Sequence, residues 1–137
     1  MLNPELTVRA GIAALSLIGV YVSLFMLRKY FKAQRGELEA PSVVMSPRAK
    51  LARVPNALYG LIFYTFLLAL TPFLSSGHLP VVYAALAAAA LAALMSLYLA
   101  YSLLFITRMP CLYCWISHVV NWSLLALMMV ATRLFSQ

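Results

Sequence analysis

Apolar residues occur in this chain as four long runs separated by shorter polar segments. The runs cover residues 10–27, 57–74, 81–106 and 111–132. An α-helix needs about 20 residues to cross the hydrocarbon core of a membrane, and each run is close to that length. Because no run keeps the apolar–polar alternation of a strand, the pattern predicts transmembrane helices. We place these helices at about residues 4–31, 56–74, 80–106 and 110–134.

The composition excludes most other classes of protein. Hydrophobic residues make up 65% of the 137 positions and charged residues only 9%, and the mean hydropathy is +0.95. A soluble globule has a more even balance, and two cysteines cannot form the disulfide framework of a small secreted protein. We therefore predict an all-α integral membrane protein, a single four-transmembrane-helix bundle over residues 1–137.

Charge is concentrated around one polar loop, predicted at residues 32–55 between the first two helices. The formal net charge is +7, and seven of the ten basic residues lie between Arg28 and Arg53. Because these residues flank membrane helices, anionic membrane lipid is their expected counter-charge, and nucleic acid is not an expected partner. Within the loop, residues 48–52 are predicted to form a short helix.

The candidate chemistry begins with the two cysteines, in the sequence Cys111-Leu112-Tyr113-Cys114. At positions i and i+3 of a helix both sulfurs lie on one face, where they can form a disulfide or bind a soft ion. Pro110 predicts the start of the fourth helix, so that Cys111 falls in the first turn, where unpaired backbone N–H groups stabilise a thiolate. The pattern favours a redox-active pair.

Two further polar residues are candidates for the same site. His118 follows Cys114 by four residues on the same helix face and can donate a hydrogen bond to a substrate oxygen. Asn121, further along that face, is interpreted as a packing residue. Asn56 follows Pro55 at the start of the second helix, where it is either a helix cap or a site residue. Antiparallel hairpins would bring Asn56 and His118 close to Cys114.

On these residues the chain resembles the vitamin K epoxide reductase family of intramembrane thiol oxidoreductases. Residues 54–64, VPNALYGLIFY, are similar to the family's PN(S/A)xxGxxxY signature, and CxxC stands at the head of the fourth helix as in the family. Residues 43–47 are similar to the segment that follows the family's loop cysteines. Those two loop cysteines are missing here, so the chain resembles a bacterial-type homologue without the first-loop pair.

The resemblance implies a bundle around a quinone of the menaquinone, ubiquinone or phylloquinone type. Cys111 would exchange with an outer thiol partner, of the thioredoxin-like kind, and Cys114 would face the quinone. His118 stands where the family has a tyrosine that holds a quinone carbonyl. The expected net reaction forms a disulfide in the partner and reduces the quinone to quinol. The implied catalytic residues are Cys111 and Cys114, and the implied quinone-binding residues are Asn56, Tyr59, Tyr64 and His118.

Two other functions remain open at this point. In a soft-ion binding or transport protein, Cys111, Cys114 and His118 would hold Cu(I), Hg(II) or Zn(II). In a structural membrane protein the cysteines would be incidental. We expect no resident metal, and the quinone-linked oxidoreductase is the leading hypothesis.

Two opposing rules bear on membrane orientation. Basic loop residues tend to stay in the cytoplasm, which would place the loop 32–55 and Arg108 there. The resemblance instead implies that the CxxC end faces the periplasm, or the outside of a bacterial inner or plasma membrane. We expect the orientation that the resemblance implies.

Overall fold

A computed structural model of the protein describes residues 3–38 and 42–137. Within these residues four long helices, together with their flanking turns, are long and apolar enough to cross a membrane. The predicted all-α membrane bundle of four helices is therefore confirmed. The helices are α1, Pro4–Gln34; α2, Asn56–Leu70; α3, Leu79–Ser102; and α4, Leu112–Phe135.

The first helix is bounded by local signals that its sequence provides. Asn3 caps its start, because the side-chain oxygen accepts a hydrogen bond of 3.0 Å from the backbone N–H of Glu5. Pro4 occupies the first helical position, where its missing N–H costs nothing. The helix ends at Gln34, and Gly36 then takes a left-handed conformation with φ of +70°.

Residues 42–55, in the loop after α1, fold into a compact segment that we call the cap. Residues 39–41 of the predicted loop 32–55 lie outside the described residues. The following residues form two short 3₁₀ turns and then an antiparallel pair of two-residue strands. The turns are Val43–Met45 and Pro47–Ala49, and the strands are β1, Lys50–Leu51, and β2, Val54–Pro55.

The predicted short helix at residues 48–52 is wrong. The chain reverses at Ala52 and Arg53, which have φ of 51° and 69°. Two successive left-handed residues give the backbone twist that joins adjacent strands in a tight hairpin. Neither residue is the glycine or asparagine that usually marks such a turn, so the sequence does not signal it.

Close packing of α1 against α2 depends on small residues. A Cβ added to Gly19 of α1 would collide with the ring of Tyr64 on α2, and one added to Gly60 of α2 would lie 2.9 Å from the hydroxyl of Ser23. Helices in a membrane associate through such close approach of their backbones. In this bundle α1 packs on α2 and α4, and α3 packs mainly on α4.

The cap and the α3–α4 connection lie at the same end of the bundle. We call this end the loop face and define it by residues 42–55 and 108–111. After α3, a π-helical turn runs from Leu103 to Thr107 and leads to Arg108, whose φ of 51° turns the chain towards α4. Residues of the cap and of the first turns of α4 line one common cavity.

Candidate functional site

Cys111 and Cys114 are joined by a disulfide, with their Cα atoms 5.3 Å apart. Cys111 is the N-cap residue of α4, with extended backbone, and its Sγ accepts a hydrogen bond of 3.2 Å from the backbone N–H of Cys114. The expectation that Cys111 lies in the first helical turn is therefore wrong by one residue. Its sulfur fills the position that a serine or aspartate oxygen usually takes at a helix start.

A cavity of about 440 Å³ lies between the helices and beneath the cap. Pockets for small molecules have volumes of about 300–1,000 Å³, so this cavity is large enough for a ring-sized ligand. Most of its wall is apolar. The cavity brings together five of the six predicted catalytic and quinone-binding residues: Asn56, Tyr59, Tyr64, Cys114 and His118. Cys111, half-buried at the N-cap position of α4, is not part of the wall.

His118 is the most unusual polar group in this wall. Its side chain is only 5% exposed, and its ring packs between those of Trp115 and Trp122, with centroids at 5.8 and 6.1 Å. Nδ1 has no hydrogen-bond partner among the described residues. A buried polar atom without a partner costs about 1–3 kcal/mol. A ligand in the cavity could supply the missing hydrogen bond.

Asn56 is the first residue of α2, and its side chain holds the cap in place. Its Nδ2 donates a hydrogen bond of 2.8 Å to the backbone carbonyl of Arg48. The N-cap residue is Pro55, so the helix-cap interpretation of Asn56 is wrong. The amide of Asn56 retains a second N–H and its carbonyl oxygen, both of which can meet a ligand.

The two tyrosines take different positions in the wall. Tyr64 is completely buried, and its O–H donates a hydrogen bond of 2.6 Å to the Asn121 side-chain oxygen. Asn121 in turn donates a hydrogen bond of 2.6 Å to the hydroxyl of Ser96. Tyr59 is 41% exposed at the rim, where its O–H donates to the backbone carbonyl of Leu51 at 3.2 Å. Asn121 is thus part of the cavity wall as well as a packing residue.

Sequence reasoning missed the contribution of α3. Its alanine-rich sequence suggests packing alone, yet Ser96 and Ser102 both line the cavity and are 2% and 1% exposed. The available signal is that polar side chains are costly within a membrane and are often functional there. A serine is a weak form of that signal, because its hydroxyl can bond to its own helix.

Charged groups cluster at the loop face. Arg48 donates a hydrogen bond of 2.6 Å to the hydroxyl of Tyr98 on α3, which ties the cap to the bundle. Beyond α1, the Arg35 guanidinium hydrogen-bonds to Glu37 and lowers the pKa of that carboxyl. Both side chains of this pair are well exposed, so the pair contributes little to stability.

The geometry gives no support to the soft-ion hypothesis. Across residues 3–38 and 42–137, no group of three or more histidine, cysteine, aspartate or glutamate side chains is placed to hold a metal ion. In this oxidised form the sulfurs of Cys111 and Cys114 are joined and neither is a thiolate, so a soft ion could bind them only after the pair is reduced.

Comparison with known proteins agrees with this geometry. The sequence model of the vitamin K epoxide reductase family matches residues 10–129, which include the cap, the cavity wall and the cysteine pair. No curated protein matches the chain. Because the match covers most of the sequence, the chain belongs to the vitamin K epoxide reductase family. It is accordingly a multi-pass membrane protein and a redox enzyme of that family's kind.

Proposed function

We propose that this protein is a membrane thiol–disulfide oxidoreductase that couples the Cys111–Cys114 pair to a quinone in the cavity. The observation that carries the proposal is the shared cavity wall of Cys114, Asn56 and His118. Proteins of the family are in general linked to quinones, and the cavity has the apolar wall and the few polar groups that a quinone ring requires.

The residues present fit a quinone on an observation independent of the family. The buried Nδ1 of His118 lacks a partner among the described residues, and Asn56 retains hydrogen-bonding capacity on the same wall. Both groups could hold a carbonyl oxygen of the ring. The chemistry that a bound quinone supplies is the acceptance of two electrons and two protons as the cysteine pair returns to its disulfide.

The chain's own cysteines divide the thiol chemistry between them. A thiolate of a dithiol partner attacks the Cys111 sulfur, the Cys111–Cys114 bond breaks, and Cys114 is released as a thiolate at the cavity wall. The second partner thiol then attacks the mixed disulfide. The partner leaves as a disulfide, and Cys111 and Cys114 become a dithiol. Two electrons have then passed from the partner to the protein.

The thiol partner in this proposal reaches Cys111 directly, since the chain has no other cysteines to act as a relay. Cys111 is the N-cap residue of α4 and lies on the loop face, outside the cavity wall. This position supports attack from the aqueous side by a thioredoxin-like partner.

Replacing His118 with alanine should weaken quinone reduction mainly through KM. The variant loses one buried hydrogen bond to the ligand, and we expect KM for a soluble quinone analogue to rise about tenfold. Steady-state quinol formation with dithiothreitol as reductant measures the effect. The matched control is His78→Ala, because His78 is exposed in the turn before α3. An unchanged KM in His118→Ala would remove His118 from the proposed site.

We propose that the loop face is on the periplasmic or outer side of the membrane. In the Cys114→Ala variant Cys111 is a lone thiol, and a membrane-impermeant maleimide added to intact cells should label it. The lysed-cell sample gives the total label. Labelling only after lysis would reverse the orientation and would agree with the basic charge of the loop instead.

A further inference from the structure

Ser102 places a second buried polar group without a partner in the cavity wall. Its side chain is 1% exposed, and its hydroxyl has no hydrogen-bond partner in the described part of the chain. It is the last residue of α3 and directly precedes the π-helical turn Leu103–Thr107. Turns of this kind are frequent at functional sites.

Three threonine hydroxyls in these helices are satisfied by their own backbone. Thr65, Thr71 and Thr132 each donate to the carbonyl four residues earlier, at 2.7, 2.8 and 2.7 Å. Ser102 makes no such bond, although it too is a helical residue. Its hydroxyl therefore has no partner among the described residues, in a residue that lines the cavity.

The wall offers more polar positions than two ring carbonyls require. Asn56 and His118 are proposed above to hold one carbonyl. Ser96 accepts from Asn121, and its own O–H remains available for the second carbonyl. Ser102 is a further polar position, six residues along α3 from Ser96, and with both carbonyls held elsewhere it would meet another oxygen of the ligand.

We propose that Ser102 is a specificity-determining residue that donates a hydrogen bond to an oxygen substituent on the quinone ring. This inference rests on the proposed function. The substrate class that it names is an alkoxy-substituted benzoquinone, in preference to a quinone whose ring substituents are only alkyl groups or a fused benzene ring.

The test compares two decyl-benzoquinones, decylubiquinone with methoxy groups on the ring and decylplastoquinone with methyl groups at the same positions. Binding is measured on the oxidised, detergent-purified protein by quenching of the fluorescence of Trp115 and Trp122, so no turnover is needed. Both tryptophans pack against His118. The wild-type protein should bind decylubiquinone about fivefold more tightly than decylplastoquinone. A factor of this size corresponds to one buried hydrogen bond.

Substitution of Ser102 then separates its role from general packing. Ser102→Ala should raise the Kd for decylubiquinone about fivefold and leave that for decylplastoquinone unchanged. Ser102→Thr keeps a hydroxyl and should retain the preference. The matched control is Ser16→Ala, since Ser16 is also fully buried and without a partner among the described residues but does not line the cavity.

Two results would overturn this inference in different ways. Equal binding of both quinones by the wild type, or an equal loss of both in Ser102→Ala, would remove the specificity role and leave the quinone site intact. If neither quinone gave saturable quenching, the quinone site itself would fail, and the proposed function with it.

Discussion

Replacement of Cys114 by alanine is expected to abolish thiol-driven quinol formation. Cys114 is the cysteine that lines the cavity, in the same wall as Asn56 and His118. Without its sulfur the pair can neither release a thiolate at the wall nor return to a disulfide. We expect the steady-state rate to fall on the order of a thousandfold or more, as when an essential nucleophile is removed.

The Cys114→Ala variant should also give a positive signal, through the reaction of Cys111 with a thiol partner. With Cys114 absent, the Cys111 thiolate can attack a single-cysteine thioredoxin-like protein that carries an activated disulfide to thionitrobenzoate, so that thionitrobenzoate leaves and no second thiol resolves the mixed disulfide that forms. A stable mixed disulfide should accumulate in Cys114→Ala and be absent from the control Cys111→Ala, as seen on a non-reducing gel. Undiminished quinol formation in Cys114→Ala, or trapping in the control instead, would contradict the division of roles between the two cysteines.

Replacement of Gly19 by alanine should strongly destabilise the bundle. An added Cβ would lie closer than 3 Å to three ring atoms of Tyr64. That ring cannot easily move, because Tyr64 is completely buried and its O–H is bonded to Asn121. Overpacking of this kind costs about 1–3 kcal/mol. We expect a lower apparent Tm in detergent, together with weaker quinone binding, because Tyr64 lines the cavity.

Gly11 on the same helix provides the control for this substitution. A Cβ there would meet only the end of the flexible Leu127 side chain, at 3.3 Å. Gly11→Ala should therefore change stability by less than about 0.5 kcal/mol. Equal shifts of Tm in the two variants would show that the contact between Gly19 and Tyr64 has no special importance.

The helices are predictable from the sequence because a membrane imposes a strong and simple requirement. A span needs about 20 apolar residues, and this chain meets the requirement four times. The cap is harder to predict. Its hairpin depends on left-handed backbone at Ala52 and Arg53, and neither residue type favours that conformation.

Among the site residues, too, some can be placed from the local sequence and others only from the three-dimensional fold. The register of one helix is enough to place His118 on the same face as Cys114. The contact of Asn56 with the Arg48 carbonyl depends on how the loop folds over the bundle. Ser102 escapes notice because a serine in a helix can satisfy itself, and only the three-dimensional structure reveals that this one does not.

A single turnover of the reduced protein tests most directly that Cys111 and Cys114 pass electrons to a quinone in this cavity. Fully reduced, detergent-purified protein is mixed with decylubiquinone, and quinol absorbance and free thiols are followed together. We predict that two thiols disappear for each quinol formed and that mass spectrometry then finds the Cys111–Cys114 disulfide. Quinone that stays oxidised while both thiols of the folded protein remain titratable would contradict the proposed coupling.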